Sequence, residues 1–290
     1  QGIVGVDFAI CNTDSQSLEN SKVPIKIHLG PSLTEGMGAG AIPEKGKQAC
    51  IESIDEVRKF LEAGTKMVFI TAGMGGGTGT GAAPIIAKAA KEMGILTVAI
   101  VTLPFKFEGA RRTKQALEGL AHLKKCVDSI LVITNDKLRQ YYGNLGLGEA
   151  FSKADDVLST GAKGIAEIIT KAGMINVDFQ DVHTVMKDSG VAIMGHSAVA
   201  GENRAIKAVQ EVLNSPLLED SDIRGAKSIL LNINSGSSEV TMDEISEITD
   251  YIQDEAGYGT FVIFGAGKDE SLKDKLSITL IATGFEARSN

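Results

Sequence analysis

The sequence predicts an α/β fold: a Rossmann-type nucleotide domain, a long core helix, and a second α+β domain on a mixed sheet. Three stretches carry that expectation. The apolar run Met67-Val68-Phe69-Ile70 reads as a buried strand, a glycine-rich turn follows, and Ala82-Ala83-Pro84-Ile85-Ile86-Ala87-Lys88-Ala89-Ala90 reads as a helix with proline in its first turn. Residues 149–171 form a long amphipathic helix. Beyond it, strands split by single helices suggest a small mixed sheet.

The elements follow in order. Residues 5–10 read as a strand ending at Cys11-Asn12-Thr13-Asp14, and residues 23–29 alternate at period 2 as a second strand. Glycines 36, 38 and 40 make a loop, and Pro43 opens a helix to about residue 63 with Ile51, Ile54, Val57 and Leu61 on one face; Gly64 stops it. After the central unit, strand 95–101 runs into Thr102-Leu103-Pro104, and strand 127–133 into Thr134-Asn135-Asp136. Gly146 and Gly148 precede the long helix, whose core stripe is Leu158, Ile165, Ile168 and Ile169. Strands are expected at 191–195, 226–234, 259–265 and 276–283, with helices at 203–213 and 242–254, the second capped by Thr241. A charged turn, 268–275, joins the last two strands.

Composition narrows the function. The chain has 290 residues, enough for one or two domains, and its net charge of −8 argues against nucleic acid as the main partner. No apolar run approaches the roughly 20 residues of a membrane span, and no basic amphipathic stretch suggests membrane binding. Cys11, Cys50 and Cys126 are scattered, as are His28, His122, His183 and His196, so neither set has metal-ligand spacing and no protein metal site is expected.

The chemistry concentrates at Gly73-Met74-Gly75-Gly76-Gly77-Thr78-Gly79-Thr80-Gly81. A strand, a glycine turn and a helix N-terminus make an anion site, because no Cβ blocks the backbone N–H groups and the helix end adds about half a positive charge. The bland alternative is a tight crossover. A Walker-type loop is disfavoured, since Gly81 is followed by Ala82 and the next lysine is Lys88. Gly77, Gly79 and Ala82 match the dinucleotide fingerprint, but the next strand ends without the carboxylate that a ribose needs.

The full string Gly75–Gly81 resembles the signature of the tubulin-like GTPases, and the flanking Ala72-Gly73-Met74 and Ala82-Ala83-Pro84 narrow it to the FtsZ family of bacterial division proteins. The resemblance covers nearly the whole chain and implies a tubulin-like fold. It divides the chain into a GTP-binding domain, 1–172, and a GTPase-activating and polymerisation domain, 173–286. It implies GTP as substrate, with Mg2+ carried on the phosphates. Gly75, Gly76, Gly77, Thr78 and Gly79 would hold phosphates, and Ala39 and Gly40 would form a second loop over the terminal one. Glu108 and Arg112, in Pro-Phe-x-Phe-Glu-Gly context, would reach sugar and phosphates; by spacing alone they make a helical ion pair. Asn135 would read guanine, where an Asx turn or cap is the alternative. Phe151 and Asp155 would clamp the base, against core packing and a solvated face. Asn176, Asp178 and Asp181 match the Asn-x-Asp-x-x-Asp loop that enters the neighbouring subunit's site to activate water; sequence alone prefers an N-capping pair.

Two departures stand out: Ile42 where the family more often has asparagine, and Thr134 where it usually has proline. The same resemblance places residue 1 one strand-turn-helix unit into the family pattern. It therefore predicts a preceding strand and glycine loop, and a gap in the sheet, since the first strand of a doubly wound sheet is central. The polar run at 286–290 reads as the start of a linker. The implied partners are copies of the chain in a head-to-tail filament, building a cytoplasmic mid-cell division ring with accessory proteins, with neither nucleic acid nor membrane insertion. The alternatives are a nucleotide-holding filament or regulatory protein without efficient turnover, which Asn176, Asp178 and Asp181 argue against, and a dinucleotide-dependent oxidoreductase.

Overall fold

The computed structural model describes residue 3 and residues 5–214 and 222–285. The run at 286–290, read as a linker start, lies outside the described residues. The chain divides into two compact units, one from Val6 to Gln140 and one from Tyr141 onward with the first few residues. The sequence reading placed the long helix with the nucleotide domain; packing groups it with the later unit.

The first unit opens with β1 (Ala9–Asn12), α1 (Ser15–Asn20), β2 (Ile25–His28) and α2 (Pro31–Thr34). It continues with α3 (Pro43–Glu52), α4 (Ile54–Leu61), β3 (Met67–Gly73), α5 (Thr78–Glu92), β4 (Leu96–Leu103), α6 (Ala110–Lys124), β5 (Ser129–Thr134) and α7 (Asn135–Tyr142). β3, β4 and β5 are parallel neighbours with Ile70 opposite Ala99 and Ala99 opposite Ile130. Each crossover is a helix, as parallel strands require. β1 and β2 form a separate parallel pair, and among the described residues β3 has no strand on the side away from β4.

Three details depart from expectation. The helix expected over 43–63 breaks at Ser53, whose hydroxyl accepts from the Gly30 N–H (2.9 Å) and donates to the His28 carbonyl (3.1 Å). The break rotates the faces: Val57 and Leu61 are buried as expected, but Ile51 is exposed and α3 buries Gly46, Ala49 and Cys50 instead. The helix after the signature begins at Thr78, so Pro84 is interior rather than in the first turn. The bond that proline cannot make is the one to the Thr80 carbonyl.

The second unit contains α8 (Leu147–Thr170), α9 (Phe179–Met186), β6 (Gly190–Val199), α10 (Arg204–Leu213), β7 (Ser228–Ser235), α11 (Met242–Ala256), β8 (Phe261–Lys268) and β9 (Leu276–Thr283). The sheet runs β6-β9-β7-β8 and is mixed, with β7–β8 parallel and β9 antiparallel to both β6 and β7. The charged turn after β8 is therefore not a hairpin: β9 passes to the middle, where all eight of its residues are buried. Leu231 and Ile233 of β7, Leu280 of β9, and Val209, Ile248 and Ile252 of the two helices share one core.

Arg204 at the start of α10 locks those helices. Its guanidinium, 8% exposed, donates to both carboxylate oxygens of Glu244 (2.7 and 3.0 Å) and to the carbonyls of Asp274 and Glu239. Lysine cannot reproduce that fork. Arg204→Met should therefore lose about 3 kcal/mol of stability, seen as a lower urea midpoint. The bonded arginine depresses the Glu244 carboxyl below its usual range. The stability it contributes is complete above the ordinary glutamate pKa and is lost as pH falls through the lowered value.

Candidate nucleotide site

The region expected to hold phosphates is built from two loops that meet backbone to backbone. A Cβ on Gly46 of α3 would strike the Gly77 carbonyl, and one on Gly81 of α5 would strike the Pro43 carbonyl. A Cβ on Gly77 would lie 2.7 Å from the Ala39 Cβ and 2.8 Å from the Ile42 nitrogen. On Gly79 it would lie 2.6 Å from the Gly73 carbonyl. Three of the signature's glycines thus serve close packing, the tight-crossover alternative. Gly75 needs its left-handed φ of 105° and donates to the Thr80 hydroxyl (2.8 Å).

Gly76 is different. A Cβ there meets nothing within 4 Å, so it faces open space at the tip of the turn. The turn leads directly into α5, whose first N–H groups have no helical partner. The helix starts inside the signature, so Thr78 and Gly79 contribute those donors themselves. That concentrates positive potential beside Gly76. The second loop packs against the same turn at Gly77. Ala39 is buried under Gly77, while Gly40 (φ 61°) and Ala41 (φ 58°) both take left-handed backbone, and Gly40 too faces open space. The Thr78 hydroxyl shares a 2.6 Å hydrogen bond with that of buried Thr13, tying the signature to the turn after β1. Thr13 was not among the residues expected at the site; only its neighbourhood, Asn12-Thr13-Asp14, gave a signal.

Glu108 closes a 3₁₀ turn and Arg112 stands in the first turn of α6. Glu108 accepts from the Phe105 N–H (3.0 Å) and from Arg112 (2.8 Å). The ion pair that spacing alone gives is present, and half of Arg112 remains exposed for an anion. Asn135 begins α7 at the end of β5; it is 5% exposed, and its Oδ1 is buried without a hydrogen-bond partner. An orphaned acceptor of this kind suits a ligand that brings an N–H donor.

Phe151, Asp155, Asn176, Asp178 and Asp181 belong to the second unit. Phe151 and Asp155 are exposed and one turn apart on α8. Partial desolvation of this exposed side chain, with the Asp156 charge beside it, raises the Asp155 carboxyl above its ordinary range. Asp178 caps α9: its Oδ1 accepts from the Asp181 N–H (2.9 Å), and the Asp181 Oδ2 accepts from the Asp178 N–H (3.1 Å). The N-capping alternative is thus present, and it leaves Asp178 exposed and Asp181 half-buried. Asn176 accepts from the Gly173 N–H (2.7 Å).

The thiols offer no competing chemistry. Burial pushes Cys11 up to about 11 and Cys50 up to about 12, so neither is a ready nucleophile. Among the described residues no three His, Cys, Asp or Glu side chains cluster to hold a metal. No described helix is long and apolar enough to cross a membrane.

The two kinds of glycine separate by substitution. Gly81→Ala should destabilise the fold by about 1–3 kcal/mol through overpacking against α3, lowering the melting temperature. Gly76→Asp should melt normally but lose about a hundredfold in nucleotide affinity, because its carboxylate enters the anion site; equilibrium binding of a fluorescent nucleotide measures it.

Comparison with known proteins matches this architecture at both ends. Residues 4–143 match the Tubulin/FtsZ family, GTPase domain, and residues 190–286 the FtsZ family, C-terminal domain. The cell division protein FtsZ of Pseudomonas aeruginosa is 48% identical over 287 residues, covering 99% of this chain and 72% of the relative. An empty FtsZ dimer from M. jannaschii is 43% identical with a TM-score of 0.92, over 99% of this chain and 83% of that one. CetZ2 from Haloferax volcanii, solved as a GTPgS-bound protofilament, shares the fold at 22% identity and a TM-score of 0.81, over 98% of this chain and 85% of that one. The chain thus carries a tubulin-like GTPase domain and belongs to the FtsZ family of cell-division GTPases.

Proposed function

We propose that this GTPase hydrolyses GTP at a site completed by a second copy of itself, and that the resulting head-to-tail contact propagates as the filament of a division ring. The observation that carries the reading is where the carboxylates are engaged. Beside the phosphate loops, Asp14 is bound to the Ser17 N–H, Glu108 to Phe105 N–H and Arg112, and Asp136 to the Lys106 N–H. Asp178 and Asp181 likewise commit one oxygen each, but to one another's backbone N–H, so the two carboxylates stand as a pair on the second unit. Their other oxygens can accept a proton from, or orient, an attacking water. A contact between unlike faces leaves a free face at each end, so it can extend into a filament where its rotation does not close a ring. The related M. jannaschii protein, solved as a dimer, supports self-association.

In this reading Gly75–Gly79 and the Ala39–Gly40 loop hold the phosphates, and Arg112 neutralises charge near them. Asn135 meets guanine with its unpartnered oxygen, while Phe151 stacks on the base and Asp155 accepts from its N1–H and amino group. Mg2+, when bound, supplies charge neutralisation on the phosphates with few protein ligands. Asn176 holds the acidic loop's turn closed. The filament would gather at mid-cell with accessory partners.

Asp178→Ala should bind GTP and assemble, yet turn over about a hundredfold more slowly. The wild-type rate per subunit, from phosphate release, should rise with protein concentration; full rate in dilute monomer would overturn the shared site. The raised Asp155 pKa adds a pH signature. The base contact needs the carboxylate, so affinity is complete at high pH and falls on acidification sooner than for an ordinary aspartate. Titration calorimetry across pH should show this step, and Asp155→Asn should remove it.

A further inference from the structure

We propose that Gly173, Gly265 and Ala266 are positioning residues for hydrolysis: the outer edge of β8 seizes the acidic loop at Ile175 and so fixes where Asp178 and Asp181 stand. The proposal rests on the shared-site reading above. β8 pairs with β7 on one side only. On its other side, the Ile175 N–H donates to the Ala266 carbonyl and the Ala266 N–H to the Ile175 carbonyl, both at 3.0 Å. This is a single antiparallel bridge, made three residues before Asp178.

The bridge depends on missing side chains. A Cβ on Gly173 would lie 2.5 Å from the Ala266 carbonyl oxygen, a backbone atom that cannot turn aside. A Cβ on Gly265 would lie 3.0 Å from Val177 Cγ2 and 3.2 Å from the Ile175 carbonyl. Val177 is buried over that bare glycine, while Met174, Ile175 and Asn176 are exposed. Within the loop, Asn176 accepts from the Gly173 N–H and closes the turn on itself. A cavity of about 330 Å³ lies against it, lined in part by Gly173, Ile175 and Val177 from the loop and Asn232, Asn234 and Ala266 from the sheet. With open volume on one face and solvent on the other, the two backbone bonds and the lodged valine hold its register. The cap at Asp178 then transmits that register to both carboxylates, because α9 begins there. A displacement of about 1 Å in a reacting group can cost about a hundredfold in rate.

The test is complementation between defective copies. Gly173→Ala should bind GTP as tightly as wild type, yet turn over about tenfold to a hundredfold more slowly. Mixed with Gly76→Asp, which lacks a nucleotide cup but keeps a sound loop, it should regain turnover, because each active site then takes its cup from one copy and its loop from the other. A folding defect would not be rescued in this way. Gly259→Ala, where a Cβ meets nothing within 4 Å, serves as the glycine control and should match wild type throughout. Asp178→Ala runs in parallel. If it loses turnover and is rescued by mixing while Gly173→Ala keeps full turnover, or is not rescued, the β8 edge does not position the loop. If mixing fails to rescue Asp178→Ala, the shared site itself is wrong and this proposal falls with it.

Discussion

The approach of α3 to α5 is the constraint on which the nucleotide-facing half of the molecule depends. Two helices can bring main chain against main chain only where side chains are absent, and Gly46, Gly77 and Gly81 supply that absence. The consequence is geometric. The loop at Gly38–Ala41 enters α3 and the signature turn enters α5, so fixing the helices fixes both loops as one rigid surface. Thr13 and Thr78 add a hydroxyl bond that brings the turn after β1 into the same assembly. What remains unfilled is the space before Gly76 and Gly40.

The two units divide the chemistry by charge. The first offers helix N-terminal donors and a half-exposed arginine, and it uses its nearby carboxylates on its own backbone. The second gathers two carboxylates at the start of α9, where the cap that starts the helix also keeps them side by side. One pair of residues therefore serves folding and, in the proposed reading, keeps one oxygen each for water. The capping and catalytic readings of Asp178 and Asp181 compete on paper but are compatible in the structure.

Much of this was legible in the residues. The strands were found because their apolar runs are long and bounded by glycine or proline, and the capping box at Thr241 and Glu244 follows from spacing. The signature string identified the family. What escaped depended on contacts distant in sequence. The break at Ser53 comes from hydrogen bonds to residues 28 and 30, which no local pattern reveals. Pro84 suggested a helix start because proline favours first turns, yet the free donors of the preceding glycine and threonine residues extended the helix backward. The packing role of Gly77 and Gly81 was hidden behind their place in a phosphate motif. The insertion of β9 between β6 and β7 is topology, and alternation of strands and helices does not encode it.

The bare side of β3 has a practical consequence. Its residues Met67-Val68-Phe69-Ile70 carry no charge, and their outward N–H and C=O groups lack a strand partner among the described residues. Such a border is adhesive to any extended peptide, including the same segment of another molecule. Sticking along β3 is therefore physically separate from the self-association of whole molecules face to face.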